Sequence, residues 1–412
     1  MSFMIAGIDV HKRVLMVAVG DAFLGEGQVE FECRKFGTTA GELKHLTAWM
    51  EERGVREVVM ESTAQYWKPV WLALEEHFQQ HLAQAWSNRA PKGRKTDFKD
   101  AQRLVRRQMA GELTLSFVPE AEQRHVRSLT RRRVQLSRDR VRLQNQLEAL
   151  LEEMRIKLSS MVTDLLGASG RRILQAVAAG ENDPEKLAAL GDARLKCTRQ
   201  QMQDALADPP PAVLRALLRL LLKQVEFLDG QIEELTQLMA ETMRNWQAAI
   251  ARLAEIPGIR ILAAQQILAE VGPNAAAFPS AAQLASWMGA CPGRQESAGV
   301  NHSDRCPKGN RYLRRVLCQA AQAAVRTKNS HFQTVFLRLV PRLGYSKAIW
   351  AVVRHMAEVI WTILHDGVHY QERGSTSSPQ AIKRRIQRLT KELREAGYTV
   401  QIKPTAANQV TA

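Results

Sequence analysis

Short apolar runs alternate with amphipathic segments over the first 115 residues. Two of the runs flank a polar turn at residues 9–13, which predicts a β-hairpin. The pattern predicts strands at residues 5–8, 14–19, 57–61 and 82–86, and helices at 43–53, 67–78 and 97–110. Thr96 and Gly111 are suited to begin and end the last of these helices. We therefore expect an α/β domain at residues 1–115.

Leucines at seven-residue spacing dominate the next region, residues 116–250. One series is Leu129, Leu136, Leu143 and Leu150; the other is Leu214, Leu221, Leu228 and Leu235, with Leu218, Val225, Ile232 and Met239 at companion positions. Such heptads predict long helices with a coiled-coil seam. A heptad defines the seam but not the partner, so an intramolecular helical hairpin and self-association are both open.

Shorter helices, punctuated by Pro and Gly, are expected at residues 251–370, followed by a basic and partly disordered tail at 371–412. Residues 256–272 place a Pro-Gly turn before an apolar helix, as in a helix-hairpin-helix element. Such a turn, with Gly258 at its centre, offers backbone N–H groups to a DNA phosphate. The alternative is an ordinary helix packed in the core.

Composition excludes several classes of protein. The chain has 412 residues, 45% hydrophobic and 24% charged, which is typical of a globular protein with two or three domains. No apolar run reaches the ~20 residues of a membrane span, and the N-terminus lacks a signal-peptide pattern, so we expect a cytoplasmic protein without membrane contact. Five irregularly spaced cysteines fit neither a disulfide framework nor a compact zinc site. The net charge of +16 points to a polyanionic partner.

Basic residues are concentrated between Arg89 and Arg142, where 16 Lys or Arg accompany 6 Asp or Glu. A solvated helix surface is the alternative, but a local excess rich in Arg favours contacts with nucleic-acid phosphates. The residues assigned to nucleic-acid binding, here and farther along the chain, are Lys95, Arg103, Arg106, Arg107, Gly258, Arg305, Lys308, Arg311, Arg314 and Arg315.

Four carboxylates are placed as a magnesium site requires. Asp9 follows the first predicted strand, and Glu61 ends a later one. Asp97 and Asp100 lie three residues apart on one face of a predicted helix. Carboxylate oxygens are the ligands that Mg²⁺ prefers, and two such ions about 4 Å apart suit phosphodiester chemistry. Any one of these acids is also compatible with a turn or a solvated helix end. His11 beside Asp9 could contact a phosphate or a nearby carboxylate, but it is by default a turn residue.

Residues 289–315 comprise a loop rich in Gly, Pro, Ser and Asn, here called the serine loop, and then a helix with several arginines. Ser297 and Ser303 are both candidates for a nucleophile on a phosphodiester, because cationic neighbours would stabilise the charge that develops on phosphorus. A loop serine is more often only a turn former. The residues alone leave this choice open.

Five segments together resemble one family of insertion-sequence transposases: GIDVHK, MESTAQYW, NRAPKGRKTDFKDA, GACPGRQESAG and KGNRYLRRVL. These are the DEDD transposases, also called bridge-RNA-guided recombinases, which have a RuvC-like N-terminal domain and a serine-bearing C-terminal domain. The resemblance spans residues 9 to about 365. It implies an RNase H-like fold for the first domain and a mostly α-helical C-terminal domain. It also implies Mg²⁺ bound by Asp9, Glu61, Asp97 and Asp100.

The resemblance further implies a serine nucleophile that forms a covalent phosphoserine link to DNA. The matching residue is Ser297 in QESAG, which is favoured over Ser303. A structured non-coding bridge RNA would select donor and target DNA, and the enzyme would act at the bacterial nucleoid as a homo-oligomer, a dimer or a tetramer. We expect the acidic residues and Ser297 to act on one scissile phosphate, with the two domains supplied by the same or by different subunits.

Two alternatives use the same residues differently. A RuvC-like, metal-dependent Holliday-junction resolvase would use the four acids with water as the nucleophile, and Ser297 would be a structural loop residue. A non-catalytic nucleic-acid-binding scaffold would need neither site. Substitution of its arginines would weaken binding and reduce its salt dependence.

Overall fold

A computed structural model describes residues 4–21, 30–61, 64–88, 96–293, 295–297, 300–303, 305–372, 374, 379–395 and 397–402. It divides into two compact units, residues 1–120 and 121–412. The first unit contains β1 (Met4–Val10), β2 (Val14–Asp21), β3 (Phe31–Gly37), α1 (Ala40–Glu52), β4 (Val55–Glu61), α2 (Trp67–Leu74), β5 (Gln79–Ala83), a 3-10 helix (Ala85–Asn88) and α3 (Asp97–Met109).

The first unit is built on a five-stranded mixed sheet in the order β3-β2-β1-β4-β5. The predicted hairpin is present as the antiparallel pair β1–β2, whereas β4 is parallel to both β1 and β5. Alternate residues of β1 point to opposite faces of the sheet. Ile8 lies in the core shared with α1 and α2, and Ile5 lies in the core shared with α3. The sheet is therefore covered by helices on both faces.

The structure differs from the sequence-based predictions at several places, including β5, which lies at residues 79–83 rather than at 82–86. Strand β3 was not predicted, because residues 32–35 of this edge strand are all exposed and give no apolar run. Helix α2 ends at Leu74 rather than at 78, and residues 85–88 form a 3-10 helix where strand was expected. Thr96 occupies the N-cap position of α3, but its side chain makes no capping hydrogen bond.

The second unit is mostly helical. It contains α4 (Ala121–Glu153), α5 (Leu158–Met161), α6 (Ala168–Ala179), α7 (Pro184–Ala189), α8 (Arg199–Ala205), α9 (Ala212–Thr242), a 3-10 helix (Arg244–Trp246), α10 (Gln247–Ala254), α11 (Ile261–Val271), α12 (Ala281–Trp287), β6 (Gln295–Ser297), β7 (Val300–Ser303), α13 (Arg311–Ala324), α14 (His331–His365) and α15 (Pro379–Glu395). Helix α14 is interrupted at Gly344, whose φ is 73°. The strands β6 and β7 form a small antiparallel hairpin.

Helices α4 and α9 pack against each other within the second unit. Three residues of the predicted α9 seam are buried: Leu218, Val225 and Met239. The two helices are also joined by polar contacts, of which the shortest is 2.5 Å between Arg140 Nε and Asp229 Oδ1. The opposite side of α9 carries an exposed apolar stripe, which consists of Val213, Leu217, Leu220, Phe227 and Leu238. One heptad face is thus used inside the chain, and a second apolar face is left in solvent.

Two expectations from composition can be compared with the structure. All five cysteines are free thiols. Among the helices of the described residues, none combines the length and the apolar character needed to cross a bilayer.

Candidate metal centre and serine loop

Asp9 and Glu61 lie at the same edge of the sheet, at the ends of two neighbouring parallel strands. Ile8 pairs with Met60 across β1 and β4, and each acid is the next residue along its strand. Strand alternation places Asp9 on the same face as Ile5, which is the face covered by α3. Asp9 and Glu61, which are 52 positions apart in the sequence, are thereby brought side by side.

Helix α3 supplies the other two acids, because Asp97 and Asp100 lie in its first turn. The helix packs directly on β1 and β2. Its close approach depends on Gly7, where a Cβ atom would lie only 2.2 Å from the carbonyl oxygen of Ala101. The glycine of the GID segment therefore allows the helix to bring its acids to the strand that carries Asp9.

The closest group in this cluster is formed by Asp9, His11 and Asp97. His11 Nε2 lies 3.2 Å from Asp9 Oδ2 and 3.8 Å from Asp97 Oδ2. One potential ligand atom from each residue lies within 4.8 Å of the other two. Burial raises the pKa of the Asp9 carboxyl; His11 opposes this rise, and the negative charges of Asp100, Asp97 and Glu61 add to it. Asp9 is therefore an acid that is costly to ionise unless a cation is near.

Glu61 and Asp100 are hydrogen-bonded to two other side chains, Asn88 and Arg103. Asn88 Nδ2 donates to Glu61 Oε2 at 3.0 Å. Arg103 Nη2 donates to Asp100 Oδ1 at 2.5 Å, and Arg103 Nε donates to both oxygens of Asn88, at 3.1 and 3.2 Å. Asn88 is 2% exposed. The four predicted acids thus lie at one edge of the sheet in two groups. Asp9 and Asp97 flank His11, and Glu61 and Asp100 are joined through Asn88 and Arg103.

The donor set fits a divalent cation. Asp9 and Asp97 offer hard carboxylate oxygens, and a cation between them would relieve the cost of ionising Asp9. His11 adds an imidazole nitrogen, a ligand that Mn²⁺ tolerates better than Mg²⁺ does. From the sequence, contact of His11 with a carboxylate is only an alternative to a turn residue, and His11 is not assigned to the site. The only sequence signal for it was its position two residues after Asp9.

The basic residues predicted to bind nucleic acid in the first unit have different surroundings. Arg103 faces Asp100 and Asn88 inside the unit. Arg107 donates to the Ser87 carbonyl. Arg106 is exposed, and its guanidinium lies 4.8 Å from the ring centroid of Phe31. The remaining residues of this set are Lys95, which lies outside the described residues, and those of the second unit.

The two candidate serines lie at opposite ends of the β6–β7 hairpin. Ser297 pairs with Val300 at one end of the ladder, whereas Ser303 pairs with Gln295 at the other. Beyond the Gln295–Ser303 pair, the Gly293 N–H donates to the Arg305 carbonyl at 3.1 Å. The choice of Ser297 over Ser303 as the nucleophile stays a prediction.

The two ends of the serine loop are held together by close backbone packing. A Cβ atom at Gly309 would lie 2.1 Å from the carbonyl of Met288, and one at Gly289 would lie 2.6 Å from the Pro307 oxygen. Arg314 Nη1 donates to the Gly289 carbonyl, and its guanidinium lies 4.0 Å from the ring centroid of Trp350. Arg314 thus holds the first residue of the loop, Gly289, through this hydrogen bond.

Other cationic residues lie near the loop. Arg305, Lys308 and Arg311 are exposed. Arg315 is half-buried, and its pKa is lowered by burial and by the neighbouring charge of Arg138. The guanidinium groups of Arg315 and Arg138 would together attract a phosphate, which carries the opposite charge.

Gly258 lies in the turn between α10 and α11, as the sequence pattern indicates. Its φ is 85°, and a Cβ atom there would lie 2.2 Å from the Ala320 carbonyl oxygen of α13. A glycine is therefore required for this turn to pack on α13. Its predicted contact with a phosphate stays a prediction.

Two family models match separate parts of the chain. The model of the DEDD transposases of the IS110 type, described as Transposase, matches residues 6–156, which include the acidic cluster. The model described as Transposase IS116/IS110/IS902 family matches residues 250–336, which include the serine loop. The chain belongs to this transposase family. The transposase is accordingly an enzyme of insertion-sequence DNA cleavage and transfer.

Several curated relatives carry related names. The transposase is 27% identical over 279 residues to a probable family 20 transposase of Pseudomonas aeruginosa, covering 66% of this chain and 73% of the relative. It is 27% identical over 282 residues to the transposase for insertion sequence element IS1111A of Coxiella burnetii, covering 66% and 67%. A 42 kDa protein of insertion element IS900 from Mycobacterium paratuberculosis is 28% identical over 161 residues, or 38% of this chain and 40% of the relative.

The family agrees with the fold and with the site chemistry. The five-stranded mixed sheet followed by a mostly helical region is consistent with the RNase H-like domain that the resemblance implies. A DEDD domain implies that the transposase binds divalent metal and acts on DNA.

Proposed function

We propose that the protein cuts and rejoins DNA at the ends of an insertion sequence, with Mg²⁺ bound by Asp9, Glu61, Asp97 and Asp100 and with Ser297 as the nucleophile. The observation that carries this proposal is the gathering of all four acids at one sheet edge, with Asp9 and Asp97 in contact with His11. Mg²⁺ in such a site would polarise a phosphodiester oxygen and stabilise negative charge on the leaving group.

The serine chemistry is a phosphoryl transfer in two balanced steps. Ser297 Oγ loses its proton and forms a bond to phosphorus, while the bond from phosphorus to one deoxyribose oxygen breaks and that oxygen takes a proton. A second deoxyribose hydroxyl then attacks the phosphoserine and releases Ser297. The exposed residues Arg305, Lys308 and Arg311 follow the hairpin and would hold the negatively charged backbone.

Recognition of the partners would be divided among several surfaces. Arg106 in the first unit and Arg315 in the second are further candidates for phosphate contacts. Selection of the DNA sites by a structured bridge RNA is proposed from the family resemblance, and the net charge of +16 is compatible with a second nucleic acid. We place the protein in the bacterial cytoplasm at the nucleoid, where its DNA substrates are found.

Self-association as a dimer or tetramer is supported by the exposed stripe on α9. Leu217, Leu220 and Phe227 are 45–65% exposed and follow helical spacing of three, four or seven residues. Exposed apolar side chains repeated along one side of a helix are typical of a surface that is covered by a partner. A second α4–α9 pair could cover it.

A RuvC-like junction resolvase that uses water is the second candidate. The observation that favours it is that all four acids belong to the first unit, so this unit has a complete set of carboxylates by itself. The two candidates differ in the fate of the serine. Only the serine mechanism links protein and DNA covalently.

Recombination in cells separates the two. One plasmid carries the joined element ends with their flanking non-coding DNA, a second carries the target, and the chain is expressed as wild type, Asp9→Asn or Ser297→Ala at matched levels. We expect both variants to yield no junction product. An active Ser297→Ala beside an inactive Asp9→Asn would overturn the serine mechanism and favour metal-activated water. Activity in both variants would overturn both candidates.

A further inference from the structure

We propose that Asn88 and Arg103 are positioning residues of the metal site, which hold Glu61 and Asp100 in place before a cation binds. This inference rests on the proposed function, because it assigns a role toward the same acidic cluster. It changes the expected role of Arg103, which the sequence assigned to nucleic-acid binding.

The geometry is a continuous chain of hydrogen bonds between the two acids. It runs from Glu61 Oε2 to Asn88 Nδ2 at 3.0 Å, from the Asn88 oxygens to Arg103 Nε at 3.1 and 3.2 Å, and from Arg103 Nη2 to Asp100 Oδ1 at 2.5 Å. Asn88 is 2% exposed, and the side chains of Arg103 and Asp100 are 17% and 8% exposed. Buried polar contacts of this kind fix side-chain orientation better than contacts in solvent do.

The orientation of the Asn88 amide follows from its neighbours. Arg103 has only donors, so it must face the amide oxygen, and the carboxylate of Glu61 has only acceptors when it is ionised. The NH₂ group must therefore point to Glu61. If the amide were reversed, its oxygen would face the Glu61 carboxylate and its NH₂ group would face the Arg103 guanidinium, and neither pair could form a hydrogen bond.

The two positioning residues differ in charge, so they differ in their electrostatic effect on a bound cation. Asn88 is neutral, so it orients Glu61 and leaves the carboxylate's charge available to a cation. Arg103 is positively charged, and by charge alone it disfavours a cation nearby. If Arg103 nevertheless promotes cation binding, it must do so through position. The sign of its effect on affinity therefore tests the inference.

The experiment measures the affinity of the purified full-length chain for Mn²⁺ by calorimetry, with a thermal melt in EDTA to check the fold. We expect Asn88→Ala and Arg103→Gln each to weaken Mn²⁺ binding by about tenfold, the lower end of what lost outer-shell partners cost. Arg56→Gln is the matched control, since it removes the same charge from an exposed position of β4, and we expect its affinity to equal that of the wild type.

The outcomes are distinct. Unchanged affinity in Asn88→Ala, or stronger binding in Arg103→Gln, would overturn the positioning role. A wild-type chain that binds no Mn²⁺ would overturn the metal site itself and this inference with it. If Asn88→Ala melts well below the wild type, Arg103→Gln decides the question, because electrostatics and positioning predict opposite signs for it.

Discussion

Asn310 Nδ2 donates to the Glu270 carboxylate across 2.7 Å, and the Oδ1 atom of the same asparagine caps α13 by accepting from Tyr312 and Leu313. Glu270 is 1% exposed. Arg131 of α4 donates to both of its oxygens, at 2.8 and 2.7 Å. One buried carboxylate thus ties α4 and α11 to the residue at which the serine loop ends and α13 begins.

Glu270→Gln is expected to destabilise the second unit by about 3 kcal/mol, because it leaves a guanidinium in a buried place without its opposite charge. The neighbouring Arg127 already has its pKa lowered to about 10 by burial and by Arg131, while Glu270 opposes this shift. Urea unfolding of the full chain measures the change. Glu226→Gln, at an exposed position of α9, is the control and should change stability by less than about 0.5 kcal/mol. Equal losses in both variants would contradict a structural role for the buried carboxylate.

Gly7→Ala is expected to separate α3 from β1, since its Cβ atom would meet the Ala101 carbonyl at 2.2 Å. We expect a loss of at least ~2 kcal/mol in stability and a clear loss of Mn²⁺ affinity, because Asp97 and Asp100 move with the helix. Gly41→Ala serves as the matched control. Nothing lies within 4 Å of its Cβ position in α1, so this change should be neutral or stabilising by up to ~1 kcal/mol. A Gly7→Ala chain with normal stability would refute this account of the close approach.

Asp9→Asn is expected to raise thermal stability in EDTA at pH 7.5 while it abolishes recombination. The folded-state pKa of Asp9 is raised, so ionisation is harder in the folded chain than in the unfolded chain. The resulting destabilisation is absent below the unfolded pKa of about 3.8 and is complete above the folded pKa. The gain in the variant should therefore be about 1–3 °C at pH 7.5 and smaller at pH 4.

Mn²⁺ should reverse that order. It should raise the melting temperature of the wild type and have little effect on Asp9→Asn, because ligand binding stabilises only the form that binds. If the variant is no more stable than the wild type in EDTA at either pH, the pKa of Asp9 is not raised in the folded chain.

Ser297→Ala is expected to abolish a covalent complex between protein and DNA, and Ser303→Ala is expected to retain it. The reason is the resemblance of QESAG to the serine segment of the transposase family, in which Ser297 is the matching residue. Ser303 pairs at the other end of β6 and β7, so it is not expected to replace Ser297. The complex is detected as a shift of labelled DNA in denaturing gels. Loss of the complex in Ser303→Ala alone would transfer the nucleophile to Ser303.

Phe227→Glu is expected to lower the oligomeric state in solution, because it places a charge in the exposed apolar stripe of α9. Light scattering coupled to size exclusion measures the mass. Lys223→Glu, an exposed charge reversal one turn away on the same helix, is the control and should leave the mass unchanged. A monomeric wild type would contradict the proposed interface before any variant is compared.

Local periodicity in the sequence predicts many of the strands and helices. The apolar runs predict β1, β2, β4 and the first hairpin, because a strand covered on both faces must be apolar along its length. Of β5 they predict only the last two residues, 82 and 83. The edge strand β3 has one buried residue, Phe36, and escaped detection for that reason. Heptads predicted α4 and α9, since helical spacing depends only on near neighbours in the chain.

The sequence by itself determined that four carboxylates lie at strand and helix ends, that the serine loop precedes an arginine-bearing helix, and that the family motifs are present. Only the tertiary structure decided what surrounds them: His11 between Asp9 and Asp97, Arg103 turned inward to Asp100, and Asn88 between Arg103 and Glu61. Such contacts join residues on different elements. They depend on how closely those elements pack, and a single hydrogen atom in place of a side chain, at Gly7, sets that distance for the acidic cluster.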